Sequence, residues 1–286
     1  MMSNRIQAPD DDAVVIEQSL QEALNGVWPP RMRSALLTAV LGNAARVRPL
    51  FCLAVARAAS GREPPPLAWS AAVAVEMIHC ASLVHDDVPC FDDAAERRGR
   101  PTVHRTYGEA TALLAGDALI VAGFAHLARA SAPPVFFAEL ARSASAEGGL
   151  ISGQALELDE RVDVAAYHAA KTGALFEAAP RLAATAVDAP VEPFAKLGRA
   201  LGALYQLADD LADEYGDARM LGKPTGQDRA RRRPNAVASL ARSKGLALLG
   251  AGALETVAAI PRCPGESDLR RFIEELATRL AARALP

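Results

Sequence analysis

Two apolar, helix-forming runs each end in paired aspartates, and these endings constrain the fold more than any other feature. The first run, Val73 to Val84, leads into Asp86 and Asp87. Pro89 then breaks the helix, Asp92 and Asp93 follow in the turn, and Arg97 and Arg98 come next. Carboxylates at a helix C-terminus face the negative end of the dipole, which costs about 0.3–1 kcal/mol each. Four of them within eight positions also repel one another. A divalent cation removes both penalties, since hard ions such as Mg²⁺ take carboxylate oxygens and keep waters and phosphates as other ligands. A lone acidic run is more often just a solvated turn.

A second run argues against the solvated turn. Leu197, Leu201, Leu204, Leu207 and Ala208 precede Asp209, Asp210 and Asp213. Asp209 and Asp213 are at i and i+4, so they share a helical face on which like charges repel. Bundles build metal sites from inward carboxylates on facing helices. The two helix ends are therefore expected to face each other across a cavity and to hold Mg²⁺ between them. Arg46, Arg48, Arg97, Arg98, Lys171 and Lys223 stand near the acidic motifs or break apolar stretches, as phosphate-binding cations would. The run Arg229 to Arg233 is expected to be a loop over the phosphates or simply exposed.

Composition agrees with an all-helical chain. Of the 286 residues 51% are hydrophobic, Ala and Leu are abundant and only 5% are aromatic. A net charge of −3 gives no global attraction to nucleic acid. Cys52, Cys80, Cys90 and Cys263 form no CxxC pair, which suits reduced thiols in the cytoplasm. No stretch is expected to span a membrane. Residues 1–12 read as a disordered tail, and 13–286 as one all-α domain, a bundle of about ten or more helices. Periodicity predicts helices over Val14 to Asn25, Arg31 to Leu41, Leu67 to Asp87, Ala110 to Arg129, Phe136 to about Asp159, Asp163 to Ala186 and Pro193 to Asp213. A further helix ends near Ser60, and Asn235 to Leu249, Gly250 to Ile260 and Ser267 to Ala284 complete the set.

The motifs resemble those of the trans-isoprenyl diphosphate synthases (polyprenyl synthetases), and most closely the bacterial geranylgeranyl diphosphate synthases. Asp86-Asp87-Val88-Pro89-Cys90-Phe91-Asp92 matches DDxxxxD and is followed by Arg97-Arg98-Gly99. Asp209-Asp210-Leu211-Ala212-Asp213 matches DDxxD, with Lys171-Thr172-Gly173 before it and GKPTGQD (222–228) after it.

The resemblance implies the isoprenoid synthase type I fold, helices around a central cavity, and a homodimer. It implies a prenyltransferase that condenses isopentenyl diphosphate with dimethylallyl, geranyl or farnesyl diphosphate, with Mg²⁺ as cofactor, about three ions to a site. Asp86, Asp92, Asp209 and Asp213 would hold the metal. Arg97, Lys171 and Lys223 would bind the allylic diphosphate, and Arg48, His79 and Arg98 the isopentenyl diphosphate. Thr172 and Gln206, with Lys171 and Lys223, would form the catalytic set. Ala81 and Ser82, one turn before the aspartates, would line the wall of the product cavity, with Met77 and Ile78 as its floor. Their small size predicts a C20 product, geranylgeranyl diphosphate, with the C15 farnesyl product or a weakly catalytic regulatory subunit as alternatives. The chain departs from the family at Ala45, where a lysine is usual, at Glu157 for an aspartate, at Ala208 for a glutamine, and at Arg233 for a lysine.

Overall fold

Helix-favouring Ala and Leu fill the long elements, and proline at the first helical turn starts several of them. The computed structural model describes residues 9–26, 28–42, 44–159, 162–216, 226 and 233–284. α1 (Pro9–Ala23), α2 (Pro30–Val40) and α3 (Val47–Ser60) lead to α4 (Pro66–Asp87). A minimal hairpin, β1 (Glu96–Arg97) with β2 (Arg100–Pro101), separates α4 from α5 (Val103–Tyr107) and α6 (Glu109–Arg129). α7 (Pro134–Ala144) and α8 (Leu150–Leu156) follow. α9 (Val164–His168), a π turn (Ala169–Gly173) and α10 (Ala174–Ala186) run on without a break. α11 (Val191–Tyr215), α12 (Arg242–Ala258) and α13 (Glu266–Ala284) close the chain. Pro30, Pro66 and Pro134 occupy first-turn positions, where their missing N–H and fixed φ cost nothing.

α4 is the core helix. It packs on α3, α6 and α10, and Ala68, Ala71, Ala72 and Ala74 are fully buried, so its neighbours approach closely. α10 links this group to α11, against which α12 and α13 pack. The two aspartate-bearing helices are thus both central and both contact α10.

Several expectations are corrected. Residues 9–12, expected to be disordered, form the first turn of α1, and residues 1–8 lie outside the described set. Asp12 is buried and accepts from Arg57 Nη1 at 3.1 Å, which explains the order. The expected helix from Phe136 to Asp159 is broken between α7 and α8, where Gly148 adopts φ +76°. The break expected at Gly250 is absent: α12 runs through it and starts later, because 236–239 form turns. By length and composition alone, α4 and α6 are both long and apolar enough to cross a membrane. Burial explains the apolar character of α4, whereas α6 leaves Leu113, Leu114 and Val121 exposed.

Arg46, expected among the phosphate-binding cations, is structural. It caps α3 in the left-handed region at φ +48° and is buried. Its guanidinium donates to Glu76 Oε1 of α4 at 2.7 Å, to Glu17 Oε1 of α1 at 3.0 Å, and to the Val40 carbonyl that ends α2. One side chain therefore ties four helices together. Burial pulls its pKa down, and the Glu76 charge and hydrogen bond more than reverse this.

Glu76→Ala leaves the buried guanidinium with only the half-exposed Glu17 and the Val40 carbonyl, so it should destabilise the fold by about 3 kcal/mol, the lower end for a broken buried pair. Urea unfolding checks this, and Arg46→Met with Glu76→Leu should recover most of the loss.

Candidate active site

Asp86 and Asp87 are both buried at the C-terminal end of α4, where the helix dipole opposes them. The surrounding chain compensates. Arg97 Nε donates to both Asp87 oxygens, at 2.8 and 2.9 Å, and Arg97 Nη2 lies 2.7 Å from Oδ1. Burial raises the Asp87 pKa, and Arg97 opposes the rise. Burial pulls Arg97 down, but Asp87, Asp86 and Asp209 together raise it, so Arg97 feels the carboxylates of both α4 and α11. Asp86 Oδ1 accepts from Gln154 Nε2 at 3.1 Å and lies 3.7 Å from Lys171 Nζ. The next loop folds back onto the helix end, with Asp92 N donating to the Asp86 carbonyl at 2.8 Å.

Lys171 and Thr172 reach the site because they stand on the π turn. A π turn adds one residue to the helical ring and re-aims the side chains, a device common at functional sites. α8 crosses this turn at Gly153, where a Cβ would stand 2.3 Å from the Lys171 backbone nitrogen, so only glycine permits the approach. Lys171 Nζ donates to Glu157 at the end of α8, and Tyr167 Oη donates to the same carboxylate at 3.1 Å. Thr172 Oγ1 donates to Gln206 Oε1, and Gln206 Nε2 donates to Asp210 Oδ1 at 2.7 Å. Asp210 also accepts from Ala236 N at 2.8 Å and is buried, so it anchors the segment before α12.

On the second cluster, Asp209 pairs with Arg283 Nη2 of α13 at 3.1 Å. Asp213 is buried, and its carbonyl accepts from Gly226 N at 2.8 Å. Arg233 bridges Asp92 and Glu157, with its Nε 2.8 Å from Glu157 Oε1. A cavity of about 430 Å³ opens beside this bridge, lined by Cys90, Phe91, Asp92, Glu157, Leu158 and Arg233. Among the described residues no three acidic or histidine side chains converge on one point. Acids alternate with cations instead: Arg97, Lys171, Arg233 and Arg283 each cover a carboxylate. The donors of both motifs are carboxylate oxygens only, which fits a hard divalent cation, and one could enter where Arg233 and Arg283 release Asp92 and Asp209.

A second cationic set lies nearby. Arg48 is buried with Nη1 3.3 Å from His79 Nε2, and its guanidinium covers the Phe176 ring at 4.6 Å. Arg98, exposed in the hairpin turn, is close enough to depress the pKa of both Arg48 and His79. Met77, Ile78, Ala81 and Ser82 are all buried. The Ser82 carbonyl accepts from Gln154 at 3.1 Å and so faces α8, while Met77 and Ile78 pack near Gly123 of α6. Lys223 lies outside the described residues. Three residues were missed as contacts: Gln154, Glu157 and Arg283. The glutamate at 157, where the resemblance expects an aspartate, was a usable signal; nothing local to Arg283 pointed at Asp209.

The Polyprenyl synthetase family model matches residues 30–246. A geranylgeranyl diphosphate synthase of Cereibacter sphaeroides is 46% identical over 88% of this chain and 89% of its own length. One of Rhodobacter capsulatus is 43% identical over 93% and 94%. A crystal structure of geranyltransferase from Helicobacter pylori, complexed with magnesium and isoprenyl diphosphate, superposes with a TM-score of 0.80 at 26% identity, covering 97% and 99% of the two chains.

Burial, and after it the charges of Arg48, Arg98, Arg97 and Arg46, hold the His79 pKa well below 6.5. The unfolded chain takes up a proton near pH 6.5 where the folded chain does not, so this contribution is complete above 6.5 and is lost as the pH falls. Urea unfolding at about pH 7 and about pH 5.5 should show the decline, and His79→Gln should make it shallower, with His126 and His168 supplying the remainder.

Proposed function

The chain belongs to the polyprenyl synthetase family and is a prenyltransferase, and we propose that it condenses isopentenyl diphosphate with an allylic diphosphate to give geranylgeranyl diphosphate. One observation carries this reading: two cationic sets flank one acidic helix end. Arg97 and Lys171 lie on the carboxylates of α4, and Arg48 with His79 stands beside them. A reaction that joins two diphosphates needs a separate anchor for each.

In this proposal the allylic C–O bond breaks and its electron pair leaves with pyrophosphate. The double bond of isopentenyl diphosphate attacks the allylic carbon, and the product loses a proton to the pyrophosphate. Mg²⁺, when bound, supplies positive charge that lowers the cost of the departing anion. Asp86, Asp92, Asp209 and Asp213 would hold it. Arg97 and Lys171, with Lys223, take the allylic diphosphate by exchanging a carboxylate for phosphate oxygens, which keeps their charge paired. Arg48, His79 and Arg98 hold the second diphosphate and so orient its double bond. The Thr172 hydroxyl donates to Gln206, which leaves its oxygen lone pairs to face the allylic cation. No nucleophilic side chain is required.

Ala81 and Ser82 are the small wall residues that leave room for a C20 chain above Met77 and Ile78. The cytoplasm suits the four cysteines, which are all free. A second copy of the chain suits the exposed apolar face of α6, where Leu113, Leu114 and Val121 are 54%, 56% and 67% exposed.

Asp86→Ala and Asp209→Ala should each lower kcat by about 10²–10³, the cost of losing preorganised electrostatic stabilisation. Ala81→Phe should shorten the product from C20 to C15; an unchanged product profile by chromatography would remove the wall assignment. Val121→Arg should lower the mass found by light scattering to that of one chain.

A further inference from the structure

The hairpin after α4 has a two-residue turn, Arg98-Gly99, with φ of +55° and +73°. Both central residues are left-handed, the twist that suits a tight hairpin. Arg97 and Arg100 flank this turn as a directly opposed pair, so their side chains leave the same face of the ribbon. From that shared face they diverge. Arg97 reaches Asp87, as described above. Arg100 reaches the end of α2 instead, with Nη1 donating to the Leu41 carbonyl at 3.4 Å.

Gly42 lies against it, on a backbone at φ +138° that side chains rarely adopt. Between α2, α4 and the hairpin is a small cavity of about 50 Å³. Its lining includes Arg97, Arg98, Arg100, Gly42 and Thr102, and its one carboxylate is Asp87. Arg97 already neutralises Asp87. Among the described residues neither Arg98 nor Arg100 has an acidic partner, so two guanidinium charges stand at the cavity without a counter-charge. Arg98 and Arg100 line this cavity together.

We propose that Arg100 is a binding residue for the second, non-ionising diphosphate, and that with Arg98 it grips the terminal phosphate against the Leu41–Gly42 turn. A diphosphate is the matching ligand class: it brings several anionic oxygens to two unpaired guanidiniums, and a guanidinium can engage two of them at once. This inference rests on the reaction proposed above. It adds Arg100 to the anchors for isopentenyl diphosphate and gives the hairpin two tasks, one arginine for the acidic helix end and one for the substrate.

The test is steady-state kinetics of Arg100→Ala. The KM for isopentenyl diphosphate should rise about tenfold or more, the scale of one charge-assisted contact, with kcat and the KM for the allylic substrate within about twofold of the wild type. Arg100→Lys should retain part of the affinity, since it keeps the charge and loses the two-pronged contact. An unchanged KM overturns the proposal. So does a parallel loss in kcat and both KM values without rescue, because that pattern marks a structural residue. Calorimetry of isopentenyl diphosphate in the presence of a chelator reads the same contact without turnover: binding should weaken in Arg100→Ala, and equal binding overturns the proposal. If the wild-type chain forms no prenyl product, the proposed reaction falls, while the calorimetric difference still decides the role of Arg100.

Discussion

Two carboxylates buried at the negative end of a helix are the constraint around which the surrounding structure is arranged. Asp86 and Asp87 bring the dipole penalty, mutual repulsion and a desolvation cost together. Each neighbouring element answers part of it. The hairpin presents Arg97, the π turn presents Lys171, and α8 presents the Gln154 amide. Glu157, which gathers Lys171, Arg233 and Tyr167, extends the same alternation outward. The acidic site is therefore held by protein cations, and in the proposed reaction the binding of metal and diphosphate would be an exchange of partners.

That exchange needs a rigid frame, and the frame has its own buried charge. Arg46 joins α1, α2 and α4 from the cap of α3, two residues before Arg48. Close packing does the rest: α8 crosses the π turn at Gly153, which sets Lys171 and Thr172 against α11. Two neighbouring arginines thus have different work. The two terminal nitrogens of Arg46 are held by carboxylates and a carbonyl, whereas Arg48 faces a histidine and an aromatic ring.

The all-helical fold was legible because Ala and Leu periodicity is a local property, and so were the aspartate motifs at the ends of α4 and α11. Helix limits were less so. The first turn of α1 depends on Asp12 meeting Arg57 from α3. The start of α12 depends on Asp210 accepting from Ala236. Both are contacts between residues distant in the chain, which spacing does not encode. The candidate site was legible by residue type and not by pairing: Arg97, Lys171, Gln206 and Thr172 were all expected near the chemistry, but their partners Asp87, Glu157 and Asp210 were not assigned to them.

The sequence by itself determined the class of fold and the class of chemistry, because apolar periodicity and clustered carboxylates act through neighbours a few residues away. Tertiary structure alone decided which charges hold the frame and which face a substrate. Arg46, Arg48, Arg97 and Arg100 are the same chemical group in sequence. They differ only in the partners that folding brings to them: one buried and one half-exposed glutamate, a histidine, an aspartate at a helix end, or a backbone carbonyl beside a cavity.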